Sequence, residues 1–195
     1  MIKRLTSTAI LLTLVAWLGV FCAARAADAP TGPTLQAFVC DDDGCSTGTA
    51  QFVGSLGHLV LNLSIAEKSD VEVGAVVKNV NGLPAGEVQV DYRGQVNADF
   101  GPHLIFTYVL PNSKVAGRVV PFVQGAPIAG APEGYTRLSF KGIDMGMVPG
   151  TTLRSLEILG IGENGGGSTT IDTVTVNGVT AAKAMSTQNT CDYVP

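Results

Sequence analysis

The chain is 195 residues long and carries 12 basic and 16 acidic side chains, a net charge of −4. An acidic surface repels phosphate backbones, so nucleic acid is not an expected partner. A single domain of this size buries roughly 70% of the surface its unfolded chain exposes, enough for a sizeable core.

At the N-terminus, Lys3 and Arg4 precede an apolar run from Ala9 to Ala23, which ends in Ala24-Arg25-Ala26. A positive start, a short apolar run and an A-x-A site are the parts of a secretory signal, with cleavage expected after Ala26. The run falls short of the roughly 20 residues that span a bilayer, and no stop-transfer charge follows it. No membrane span is therefore expected after signal removal. The chain reads as secreted or periplasmic, and its signal looks bacterial. Cleavage removes Lys3, Arg4 and Arg25 and leaves nine basic residues against 16 acidic, a net charge of −7. The expected organisation is a signal over 1–26, one β-sandwich domain over 27–180 and a tail over 181–195.

Cys40 and Cys45 bracket Asp41-Asp42-Asp43-Gly44, a turn-rich spacer. In an oxidising compartment this spacing suits a disulfide between them. The competing pairing joins one of them to Cys191, and either choice leaves one thiol over. His58 and His103 show no ligand spacing to these cysteines, which argues against zinc.

Short Val-, Ile-, Thr- and Leu-rich runs then alternate with Gly, Pro, Asn and Asp, the pattern of an all-β sandwich or barrel. In chain order the expected strands begin with Thr34–Val39, Thr49–Val53, His58–Ile65, Val71–Asn79 and Glu87–Arg93. Leu104–Leu110, Gly117–Val123, Thr136–Lys141, Leu153–Ile161 and Thr170–Val176 complete the series. Side chains alternate along a strand, so Val88, Val90 and Tyr92 share one face and Gln89, Asp91 and Arg93 the other. Leu104, Phe106, Tyr108 and Leu110 form a second apolar face, as do Val120 with Phe122 and Leu138 with Phe140. Gln124–Gly134, with two prolines, reads as a loop. The polar stretch from Ala181 shows no period and reads as a loose end unless Cys191 holds it.

The segment Ile171-Asp172-Thr173-Val174-Thr175-Val176-Asn177-Gly178, following Thr136–Phe140 and a Gly/Pro loop, resembles the closing strand of galactose-binding-like jelly rolls. That is the fold of many carbohydrate-binding modules. The resemblance covers Tyr135 to Thr180 and implies an antiparallel two-sheet jelly-roll sandwich with a glycan as partner. The chain departs from sugar-binding relatives in one respect. Its only tryptophan, Trp17, lies in the signal, and of its four tyrosines Tyr135 and Tyr193 fall outside the presumed core.

Two sites follow. Asp91 and Arg93, with His103 and Arg137 at the entrances to nearby strands, form a polar cluster suited to sugar hydroxyls or a carboxylate. The alternative is a solvated sheet face whose charges discourage edge pairing. Asp41 and Asp43 supply hard oxygens for a structural calcium. The resemblance places such an ion where an early loop approaches the closing strand, at Asp172; the alternative role for Asp172 is to cap a turn. Ser55 and His58 lack an orienting acid, so no catalytic set is expected. The sequence thus implies a secreted non-catalytic module, either recognising a glycan or acting as a structural or interaction module with no small-molecule ligand.

Overall fold

The computed structural model describes residues 31–40, 48–55, 58–65, 72–94, 101–160 and 167–189. The chain divides into two compact units, Met1–Thr31 and Gly32–Pro195. The residues expected to form a signal, 1–26, and Asp41, Asp43, Cys45, Cys191 and Tyr193 lie outside the described residues. Among the described residues, no helix is long and apolar enough to cross a membrane.

The second unit is an antiparallel two-sheet β-sandwich of jelly-roll type. Six strands form one sheet in the order β13 (Ala182–Asn189), β1 (Thr34–Cys40), β4 (Glu72–Lys78), β10 (Thr152–Gly160), β6 (His103–Val109) and β7 (Val115–Pro121). The other sheet runs β2 (Gly48–Ser55), β3 (His58–Ile65), β11 (Gly167–Val176), β5 (Glu87–Gly94), β9 (Thr136–Lys141) and β8 (Ala126–Ile128), with β12 (Val179–Thr180) beside β11. Every pairing is antiparallel except β1 with β13.

Alternation explains the core. Val88, Val90 and Tyr92 of β5, Leu138 and Phe140 of β9, and Leu104 and Phe106 of β6 are all buried between the sheets. Tyr108 only packs against the core from its edge. Phe122 is buried from a 3-10 turn, Phe122–Gln124, that carries the chain from β7 to β8. Its ring meets Tyr92 edge-on at 5.6 Å and Phe140 at 5.8 Å.

Three expectations are corrected. The strand placed over Gly117–Val123 begins two residues earlier, because a tight turn closes at Ser113 (φ +63°), whose N–H donates to Leu110 O. Within the expected loop, β8 pairs with β9, and Pro127 is tolerated because it lies on an edge strand. Within the polar stretch from Ala181, Ala182–Asn189 forms β13, which pairs in parallel with β1. Thr187 Oγ1 also donates to Ala50 O of β2 in the facing sheet (2.9 Å).

The closing-strand motif has a physical reading. Ile171, Val174 and Val176 are buried, and a register shift between Ile171 and Thr173 accounts for their uneven spacing. Asn177 (φ +51°) and Gly178 (φ +81°) are both left-handed, as a two-residue hairpin turn requires. The Asn177 side chain accepts from Glu87 N–H (3.0 Å) and donates to Pro84 O (2.8 Å), anchoring the loop that leads into β5.

Candidate functional site

The face of the seven-stranded sheet turned away from the core is polar. Strand β5 presents Glu87, Gln89, Asp91 and Arg93, and β9 sets Ser139 opposite Gln89 and Arg137 opposite Asp91. Arg137 donates from Nε to Asp91 Oδ1 (2.6 Å) and from Nη2 to Oδ2 (2.7 Å), a planar two-point pair. With the guanidinium paired to it, Asp91 is only 1% exposed, unlike the solvated carboxylate of the alternative reading. The carboxylate holds Arg137 firmly charged. Arg93, two residues along, places its guanidinium carbon 5.2 Å from the centre of the Tyr135 ring, within cation–π range. Across β11, Thr170 donates to Asn62 of β3 (2.9 Å).

At the other end of this face, Ser139 donates to Glu87 Oε1 (2.5 Å) and Gln89 to Oε2 (2.9 Å). Those bonds, the Ser139 one foremost, hold the Glu87 carboxyl below its ordinary range. Glu87 and Lys141 also line an open depression of about 440 Å³, walled by Ile143, Val148, Pro149 and Thr151. Its two loops meet at Gly142, whose N–H donates to Gly86 O (2.6 Å). A Cβ on Gly142 would collide with the Ala85 carbonyl, so only glycine allows this approach.

The four residues expected to cluster are divided between the sheets. Asp91, Arg93 and Arg137 share one face, whereas His103 lies on β6 of the six-stranded sheet. It is 6% exposed, and its Nδ1 has no hydrogen-bond partner. On the neighbouring strand is Glu157, 8% exposed between Val76 and Ile105. Burial raises its carboxyl pKa, with a further push from the Glu72 charge. The folded state then keeps this proton to higher pH than the unfolded chain. Stability accordingly falls as pH rises from the ordinary carboxylate range, about 4.3, through the raised folded value. Glu157→Gln should raise Tm near neutral pH by about 2–4 °C, equivalent to about 1 kcal/mol in a chain of this size. In mild acid, below about pH 4, the gain should vanish. An equal gain at both pH values would show that titration of Glu157 is not its source.

Of the carboxylates considered for calcium, only Asp172 lies in the described part. Its Oδ1 is 3.6 Å from Lys183 Nζ. Among the described residues, no group of three or more His, Cys, Asp or Glu side chains is placed to hold a metal ion. Glu87, Gln89 and Ser139 escaped the sequence reading, although the parity of β5 placed Gln89 on the correct face.

No protein-family model and no curated protein matches the chain. Among solved structures it is similar to a family 30 carbohydrate-binding module, with 9% identity over 84% of this chain and 90% of that one at a TM-score of 0.46. A family 11 carbohydrate-binding module from Clostridium thermocellum, in complex with a β-1,3-1,4-mixed-linked tetrasaccharide, aligns at 8% identity over 77% of this chain and 91% of that one, with a TM-score of 0.40. A β-1,2-glucanase from Parabacteroides distasonis aligns at 11% identity over 71% of this chain, with a TM-score of 0.43. This chain spans only 22% of the glucanase's length.

Proposed function

We propose that this protein is an exported, non-catalytic binding module that recognises a carbohydrate on the outer face of its seven-stranded sheet. The observation that supports this is the row of fixed polar groups on that face, from Asn62 and Thr170 through Asp91–Arg137 to Gln89, Ser139 and Glu87. Sugar hydroxyls both donate and accept, and they suit a surface whose donors and acceptors are held in place before binding. Asp91 engages two of the five N–H groups of Arg137, and the others are available to a ligand hydroxyl. Tyr135, held beside Arg93, offers the apolar ring contact, and Ile143 and Val148 offer an aliphatic one in the adjoining depression.

A glycan-array screen of the folded protein, with calcium and then with chelator, tests the proposal. Binding to one glycan class is expected, weakened at least about tenfold, equivalent to about 1.4 kcal/mol, by Tyr135→Ala. Silence across the array, or binding indifferent to both Tyr135→Ala and Arg137→Lys, would end it. A second reading, an interaction module without a small-molecule ligand, is favoured by a different feature: the exposed valines of edge strand β7.

A further inference from the structure

Among the described residues, β7 pairs only with β6, so its other side is an open sheet edge. Natural sheets usually blunt such edges with charge, proline or bulges. Here Val115 is 50% and Val119 56% exposed, with Gly117 between them also exposed. The ladder fixes which backbone groups are free. At its two ends Phe122 N–H donates to Pro102 O and Leu110 N–H to Lys114 O. Hydrogen-bonded pairs alternate along an antiparallel ladder. Ala116, Arg118 and Val120 therefore bond β6, and the N–H and C=O groups of Val115, Gly117 and Val119 face outward.

We infer that this edge joins a second copy of the chain, β7 against β7, through a two-fold axis at Gly117. In that register Gly117 meets its own equivalent, and Val115 meets the second copy's Val119. Every outward N–H and C=O from Val115 to Val119 then finds a partner, and four exposed valines pack in cross-strand pairs on one face. Gly117 falls on the axis as a hydrogen-bonded pair with its own equivalent. Neighbouring registers are worse. An axis at Arg118 sets two guanidinium groups directly opposite and pairs Val115 with Pro121, which has no N–H. An axis at Ala116 sets Val119 opposite Ser113, which is committed to the turn at φ +63°. In the chosen register Arg118 faces the second copy's Ala116, and its own Nη1 is already bonded to Met145 O (2.5 Å). The same patch serves both copies, so the contact is isologous and closes as a dimer. It joins two six-stranded sheets into one continuous sheet.

Sedimentation of the intact protein over a wide concentration range, combined with residue-resolved amide exchange, tests this. The expected result is a monomer–dimer equilibrium in which exchange slows at Val115, Gly117 and Val119 as dimer forms. Ala116, Arg118 and Val120, already bonded to β6, should show no concentration dependence. Val119→Lys should move the midpoint to at least about tenfold higher concentration with unchanged circular dichroism and Tm. If that variant fails to fold, the alternating exchange pattern of the unmodified protein decides. A monomer at every concentration overturns the proposal, as does a dimer whose Val115, Gly117 and Val119 amides exchange as they do in the monomer. Glycan binding is a separate readout on the opposite sheet, so either proposal can fail without the other.

Discussion

Arg137→Met should lower the free energy of unfolding by about 3–5 kcal/mol, because it leaves the buried Asp91 carboxylate without its counter-charge. For a chain of this size, Tm falls by about 2–4 °C for each kcal/mol lost. The cost comes mainly from the stranded charge rather than from the pair itself. Adding Asp91→Val to Arg137→Met should therefore restore most of the stability, since an apolar pair often replaces a buried ion pair at little cost. Urea unfolding of the two single variants and the double variant supplies the cycle. A loss below about 1 kcal/mol for Arg137→Met would mean that the pair behaves as a surface salt bridge, and Asp91 would then have to be reached by water. Glycan binding measured on the double variant adds a functional readout: a folded protein that has lost binding places the pair in the site.

Phe122→Ala should cost a similar amount, about 3–5 kcal/mol, for a different reason. The ring is fully buried and packs on Tyr92 and Phe140, both from the seven-stranded sheet, while its backbone N–H bonds Pro102 beside the six-stranded one. Truncation opens a cavity at the crossover between sheets. Gly125, at the end of the same turn, lies so close to Leu138 and Phe140 that the loop has little freedom to collapse into the space. Phe122→Leu should recover more than half of the loss by refilling part of the volume. If thermal unfolding shows Phe122→Ala within about 1 kcal/mol of the unmodified protein, the crossover is not part of the cooperative core.

The two proposals place function on opposite sheets. On the seven-stranded sheet, polar side chains are tied in pairs, β3 to β11 and β5 to β9, which suits a surface that keeps its shape when a ligand arrives. The edge of the six-stranded sheet offers backbone groups and valines, which suits another strand. Joining two copies through β7 would leave both polar faces free. Such a dimer would present two sites and raise avidity for a repeating polymer without any new contact to it.

The sequence by itself determined the fold class and most of the core. Strand alternation is local, so Val88, Val90 and Tyr92, or Leu138 and Phe140, declare their shared face within a few residues. Turn chemistry at Asn177-Gly178 is equally local. Which strands lie side by side is not local, and that decided the site. Parity put Asp91 and Arg93 on one face, but only the pairing of β5 with β9 showed that Arg137 buries Asp91. His103 went to the other sheet because β6 pairs with β7 and β10, a long-range choice that no spacing reveals. The last strand, β13, was illegible for a related reason. It is held by a backbone ladder to β1 and by Thr187 reaching β2, and backbone hydrogen bonds leave no hydrophobic period in the sequence.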